Sequence, residues 1–286
     1  MNLADIKDVK AILSREGFSF KKSLGQNFII DETVCPAMAD ACCDQKTGVI
    51  EIGPGAGVLT RELAQRAKKV VAIEIDERLR PVLKKTVGEF SNVEVIFGDV
   101  LKLNLNEIIT QKFDDCNRVA VCANLPYYIT SPIIISLLES KLNITSITAM
   151  VQLEAAERLC ARLGSRAAGA VTAVVEYYSD AEILFDVPRD CFLPAPNVDS
   201  AVINLNIRKT PAVKTEDEKL FFDIIKAGFN QRRKTLINAL SNRYKLDKST
   251  AHTIFEKAQI SPTARAEELT INQFATLVNL IKNKNV

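Results

Sequence analysis

Histidine is almost missing from the chain: His252 stands alone, far in sequence from every cysteine, which leaves a zinc site without its usual ligands. The seven cysteines, Cys35, Cys42, Cys43, Cys116, Cys122, Cys160 and Cys191, form no Cys-x-x-Cys pair, and their number is odd. Free thiols in a reducing compartment are therefore expected, not a disulfide framework. No apolar run reaches membrane-spanning length, and Met1 to Lys10 carries alternating charge instead of a signal peptide. A cytoplasmic protein with no membrane partner and no metal follows as the expectation. No internal repeat or low-complexity tract interrupts the 286 residues. A chain of that length buries a large core, and one large domain with a smaller one is its natural division. No long exposed apolar helix face demands a partner, so a monomer is expected.

Charge is unevenly shared. Residues 208–286 hold 15 Lys and Arg against 8 Asp and Glu, a balance of +7, which leaves 22 against 27, or −5, for residues 1–207. Positive charge thus gathers where a polyanion can be held. Gln231-Arg232-Arg233-Lys234 is the densest cluster, and Lys21-Lys22 is a smaller one near the N-terminus. Taken singly, each cluster reads equally well as a solvated helix face; beside the motifs below, both favour phosphate contacts.

Strand and helix signals alternate through the first half, as in a parallel sheet covered by helices. Residues 49–52, 69–75, 93–97, 118–123 and 147–152 read as strands, and 58–67, 77–89, 133–139 and 153–163 as helices. Residues 170–178 form an apolar helix or strand. Residues 181–187 and 200–207 read as strands separated by Pro188, Pro194 and Pro196, which suggests antiparallel additions at the sheet edge. From 216 onward only helical periodicity remains, at 219–229, 233–240, 249–258 and 271–282. Lys209-Thr210-Pro211-Ala212 reads as a linker, which gives expected domains of 1–208 and 209–286.

The first strand runs into Gly53-Pro54-Gly55-Ala56-Gly57. Dinucleotide binders use G-x-G-x-x-G; the spacing here brings backbone close to a ligand without requiring a pyrophosphate at the helix N-terminus. Glu74, 21 residues beyond Gly53, ends the second strand and is placed to accept hydrogen bonds from ribose hydroxyls. Asp99 follows the third strand, where it suits the amino edge of a bound adenine, and Asn124 closes the fourth. Four strand ends converging on one crevice are the expected site of an open α/β sheet. A nicotinamide-dependent oxidoreductase is the rival enzyme, disfavoured by the missing third glycine spacing.

Asn124-Leu125-Pro126-Tyr127 is the most informative stretch. An exocyclic adenine amine is a poor nucleophile because its lone pair is delocalised into the ring. Acceptors that bind its N–H groups let the nitrogen pyramidalise, and the Asn124 side-chain oxygen with the Leu125 carbonyl are the candidates. Pro126, with fixed φ and no N–H, would hold them rigid. Tyr127 would stack on a base taken out of its helix or loop. The competing reading is a polar turn after a buried strand.

The ordered set resembles the bacterial ribosomal RNA small-subunit adenine dimethyltransferases, a family with eukaryotic Dim1 and erythromycin-resistance methylase relatives. The matching stretches are Ser23 to Phe28, Glu51 to Gly57, Glu74 to Asp76, Gly98-Asp99, Asn124 to Thr130, Met150 to Gln152 with Ala156 to Arg158, Phe192 to Ser200 and Phe229 to Leu236, with Arg265 to Glu267 beyond. Departures are Leu153, where a lysine is common, the 163–169 loop, and mildly Leu193 to Pro196; the first two bear on RNA contacts. The resemblance implies a Rossmann-like, mostly parallel α/β sheet with an antiparallel edge and a small all-α C-terminal domain that grasps rRNA. It implies S-adenosylmethionine as methyl donor and N6-dimethylation of two adjacent adenosines in the 3′-terminal hairpin loop of 16S rRNA, within an immature small subunit. By motif match, Asn27 and Ile29 would touch the methionine part of the donor, Gly53 would lie under it, Glu74 would bind its ribose and Asp99 its adenine. Asn124 would hold the target amine, and Tyr127 and Phe192 would sandwich the base. A resistance-type methylase acting on large-subunit RNA, or chiefly a small-subunit assembly checkpoint, are the alternatives.

Overall fold

The computed structural model describes Arg15 and residues 27–282. By chain contacts they form two compact units: residues up to 156 together with Glu182–Ile207, and Glu157–Ala181 together with residues from 208 onward. The last of the three breaks follows Ile207. The segment Glu157–Ala181, expected in the first domain, clusters with the second unit instead, because tertiary contacts, not chain order, define a compact body.

A seven-stranded sheet dominates the first unit. Its strands are β2 (Thr47–Ile52), β3 (Lys69–Glu74), β4 (Val93–Phe97), β5 (Arg118–Asn124), β6 (Ser146–Gln152), β7 (Ser179–Val187) and β9 (Ser200–Ile207), in the order β4-β3-β2-β5-β6-β9-β7. The first five are parallel, and β9 runs antiparallel to β6. All six residues of β2 are buried, since it is paired on both sides and covered on both faces; Val49, Ile50 and Ile52 are its apolar residues and Glu51 interrupts them. Between β2 and β3 lies α2 (Val58–Arg66), which buries Leu59, Thr60, Leu63 and Ala64 on one stripe. The chain then passes through α3 (Arg80–Thr86), α4 (Leu105–Lys112), α5 (Thr130–Glu139) and α6 (Leu153–Leu159).

Two elements carry no strong periodic signal in the sequence. One is α1 (Val34–Cys42), which packs Val34, Cys35, Met38, Ala39 and Cys42 against the sheet, so that cysteines serve as small apolar residues. The other is a ribbon of two residue pairs, β1 (Phe28–Ile29) antiparallel to β8 (Phe192–Leu193). All seven cysteines are free thiols, four of them buried.

Register decides the site. Ile52 pairs with Ile73 on one side and Ala123 on the other, so the residues that follow, Gly53, Glu74 and Asn124, emerge at one level. Glu74 in turn pairs with Phe97, which places the Gly98-Asp99 turn beside it, and the Gly98 N–H donates to the Glu74 carbonyl at 2.8 Å.

The second unit is helical: α7 (Ala170–Tyr178), α8 (Glu218–Phe229), α9 (Leu236–Tyr244), α10 (Lys248–Lys257) and α11 (Ile271–Lys282). Phe221, Phe255 and Phe274 are fully buried in it. The Asp217 and Asp247 carboxylates cap α8 and α10, each accepting a first-turn N–H at 2.9 Å. The sequence pattern predicts one helix over 233–240, but α9 begins at Leu236. The Leu236 N–H is taken by the Ala264 carbonyl, and Gln231 to Lys234 lie in a turn closed by Lys234 N–H to the Gln231 carbonyl. His252 is an exposed residue of α10.

Candidate active site

An open cleft lies at the carboxyl ends of the parallel strands. Its walls include Asn27, Phe28 and Ile29, the glycine loop, Glu74 with Ile75, and Asn124 to Tyr127. Seven of the expected site residues, Asn27, Ile29, Gly53, Glu74, Asn124, Leu125 and Tyr127, thus line it together.

The loop is glycine for geometric reasons. Gly53, Gly55 and Gly57 have φ of +72°, +58° and +89°, a region that disfavours side chains. A Cβ on Gly55 would stand 2.7 Å from the Phe28 ring. At Gly53 the position of a Cβ is open, with the Asn124 carbonyl oxygen 3.9 Å away, so the missing side chain leaves room for a ligand against the backbone.

Glu74 is 4% exposed, and its two oxygens accept the Asp76 N–H at 2.8 Å and the Gly55 N–H at 3.1 Å. It therefore ties the glycine loop to β3. Burial raises its pKa above the ordinary carboxylate value, partly offset by those two bonds. Remaining lone pairs on a fixed, dry carboxyl make a well-defined acceptor for hydroxyl donors.

Asn124 donates from Nδ2 to the Asn27 carbonyl at 3.2 Å. That bond uses one N–H of the amide and leaves Oδ1 as an acceptor on a cleft-lining residue. Leu125 as a whole is 1% exposed and its N–H donates to the Met150 carbonyl, so what Leu125 can offer a ligand is its own carbonyl. Pro126, at φ −59° and ψ 131°, accepts from the Ile129 N–H at 3.1 Å and the Thr130 hydroxyl at 3.2 Å. These bonds lock the chain into the tight turn Tyr127–Ile129. Tyr127 lines the cleft, half-buried, and shares a 2.8 Å hydrogen bond with the Ser200 hydroxyl. Burial pushes its phenol pKa upward, so it stays neutral.

Other expected residues lie elsewhere. Asp99 is not in the cleft wall: its carboxylate accepts the Leu101 N–H at 3.0 Å and sits 3.5 Å from Lys102 Nζ, bracing its own turn. Nor does Phe192 reach the cleft. At 3% exposure it lies in the core cluster with Ile29, Met150, Val187 and Val202. Its contribution passes through the backbone, because the Phe192–Ile29 pair holds the strand that presents Asn27 and Ile29. Of the basic clusters, Lys21 and Lys22 lie outside the described residues. Arg232 is engaged by the Ala168 carbonyl at 3.1 Å and Glu267 at 3.5 Å, while Arg233 and Lys234 are exposed. Two cleft residues carry weaker sequence signals: Ile75, 54% exposed beside Glu74, and Phe28 beneath Gly55.

A profile of the family described as ribosomal RNA adenine dimethylase matches residues 17–283. The chain belongs to that family. Among curated relatives, the ribosomal RNA small subunit methyltransferase A of Bacillus licheniformis is 47% identical over 277 residues, 96% of this chain and 95% of its own. The Bacillus mycoides protein of the same name is 46% identical over 284 residues, 98% and 97% of the two chains. Among solved structures, a dimethyladenosine transferase from Plasmodium falciparum aligns with a TM-score of 0.71 at 25% identity, over 89% of this chain and 97% of that one. The 23S rRNA methyltransferase ErmE aligns with a TM-score of 0.67 at 26% identity, over 90% and 100%.

As a dimethylase of this family, the protein has the Rossmann-like fold of S-adenosylmethionine-dependent methyltransferases, and S-adenosylmethionine is its methyl donor. The cleft fits that molecule: an unobstructed glycine backbone, a buried carboxyl for hydroxyls and an apolar rim at Ile75 and Leu79. The sulfonium supplies the electrophilic methyl, so the chain's own task is alignment in a dry, electrostatically matched crevice.

Proposed function

We propose that this dimethylase acts in the cytoplasm, as a monomer, on two adjacent adenosines in the 3′-terminal hairpin loop of 16S rRNA within an immature small subunit. The observation that carries the reading is Asn124: its amide N–H holds the Asn27 carbonyl, its Oδ1 is left as an acceptor, and both Asn124 and Leu125 line the cleft. The names of the relatives 46–47% identical over nearly the whole chain support the small-subunit target.

In this scheme Asn27, Ile29 and Gly53 contact the methionine part of S-adenosylmethionine and Glu74 its ribose. Asp99 contacts the adenine only if its turn, one strand over, opens toward the cleft. Asn124 Oδ1 and the Leu125 carbonyl receive the N6 hydrogens, and Tyr127 stacks on the base. The second unit, with Arg233 and Lys234 exposed and Arg232 nearby, holds rRNA phosphates. Glu74→Ala is expected to weaken S-adenosylmethionine binding roughly 10- to 100-fold, the range for hydrogen bonds to a charged group, as titration calorimetry would read. Unchanged affinity would remove Glu74 from the ribose role.

The deciding experiment supplies labelled S-adenosylmethionine to unmethylated small subunits and, in parallel, to large subunits, and analyses the 3′-terminal 16S rRNA fragment by mass spectrometry. Two adjacent N6-dimethyladenosines are expected. Label in large-subunit RNA instead would support the second reading, which the likeness to ErmE favours. Tight subunit binding without label would favour the checkpoint role.

A further inference from the structure

Tyr127 is tied to a strand two places away from the one that delivers it. Its hydroxyl meets Ser200, the first residue of β9, which is 0% exposed and pairs with Gln152 of β6. The corner around Ser200 is itself fixed. The Asp199 carboxylate accepts the Arg189 N–H at 3.0 Å, and the Asp199 carbonyl accepts the Leu153 N–H at 3.1 Å. Ser200 is thus a rigid post set in the sheet, while Tyr127 stands on a single short turn. The phenolic oxygen lies on the axis about which the ring spins. A bond there fixes where the ring points and leaves its spin free.

We propose that Ser200 is a positioning residue that aims Tyr127 at the target base, and that the second methyl addition depends on it more than the first. This rests on the reading that adenosine N6 is the acceptor. An unmodified N6 amine has two N–H groups, one for Asn124 Oδ1 and one for the Leu125 carbonyl. Once a methyl is attached, a single N–H remains and one acceptor loses its partner. The orientation of the base then rests more heavily on stacking against Tyr127, and so on the bond that aims the ring. In each addition N6 forms a bond to the methyl carbon, the electron pair of the broken S–C bond stays on sulfur, and one N6 proton passes to water.

The test follows monomethyl- and dimethyladenosine over time with full-length protein and unmethylated small subunits. Ser200→Ala is expected to slow the second addition about three- to tenfold more than the first, the scale of one neutral hydrogen bond, so that N6-monomethyladenosine accumulates. Affinity for S-adenosylmethionine should stay near that of the wild type. Tyr127→Phe keeps the ring and removes the other end of the bond, and should give the same accumulation even if the serine variant folds poorly. The double variant should be no worse than either single one, as expected for two ends of one interaction. A mono-to-dimethyl ratio like the wild type's in Tyr127→Phe, or additive effects in the double variant, would overturn the proposal. A wild-type protein that forms no dimethyladenosine at all would instead sink the functional reading, and is seen before any variant is made.

Discussion

Asn124→Ala is expected to lower methyl transfer by roughly 10²- to 10³-fold, the usual effect of removing one preorganised group from a charge-developing site. Binding of S-adenosylmethionine should fall far less. In the proposed scheme the side chain does two separable things: Oδ1 receives an N6 hydrogen, while Nδ2 holds the Asn27 carbonyl at 3.2 Å. Alanine loses both, so a small loss of donor affinity accompanies the large loss of rate. Asn124→Asp separates the roles. It keeps an acceptor, yet sets a carboxylate oxygen against the Asn27 carbonyl where an N–H stood, so S-adenosylmethionine affinity should suffer more in the aspartate variant than in the alanine one. Single-turnover rates measured beside calorimetric affinities would check both variants. Near-normal turnover in the alanine variant would remove Asn124 from the amine-holding role.

The parts of this site that are legible in the sequence are those set by backbone demands. Strands β2 to β6 show as short apolar runs because both faces of the sheet are covered, and the residues that end them converge as open-sheet geometry requires. The glycine loop is legible because left-handed φ at three positions leaves few alternatives. What escapes depends on tertiary packing. A ribbon of two residue pairs, Phe28–Leu193 and Ile29–Phe192, is too short to leave a periodic trace, yet it presents one wall of the cleft. Motif order suggests a stacking ring at Phe192, but apolar surroundings far away in sequence draw it into the core. Strand-end logic puts the Asp99 backbone in its place next to Glu74, but an aspartate readily bonds the N–H two residues on, and its carboxylate turns to Leu101. The Tyr127–Ser200 bond spans 73 residues, and a serine among many gives no sign of it.

The largest stability effect is expected at Glu51. This side chain sits in the middle of the sheet, between Ala72 and Cys122, 1% exposed, and neither of its oxygens completes a hydrogen bond. Burial raises its pKa from about 4.5 to about 8; the nearby Thr60 hydroxyl pulls it down and the Glu74 charge adds to the rise. The folded protein therefore keeps this carboxyl protonated at neutral pH, whereas the unfolded chain ionises it near 4.5. The sign follows. Below about pH 4.5 the group is neutral in both states and costs nothing by titration. As pH climbs toward 8 the unfolded state gains from ionising and the folded state does not, so stability falls, by an amount on the order of a few kcal/mol across the window. Above about 8 the loss levels off. Glu74, raised in the same direction, adds to the slope. Glu51→Gln removes the titrating group while keeping its size. Near pH 5 the variant should differ little from the wild type, since an unpartnered amide replaces an unpartnered acid. At pH 8.5 it should melt higher, with a gap of roughly 5 °C or more, taking 2–4 °C per kcal/mol for a body of this size. Melting curves recorded between pH 5 and 9 would decide the matter: a gap that widens with pH is expected, and parallel curves would mean that Glu51 ionises in the folded state with a partner, such as a buried water, that relieves it.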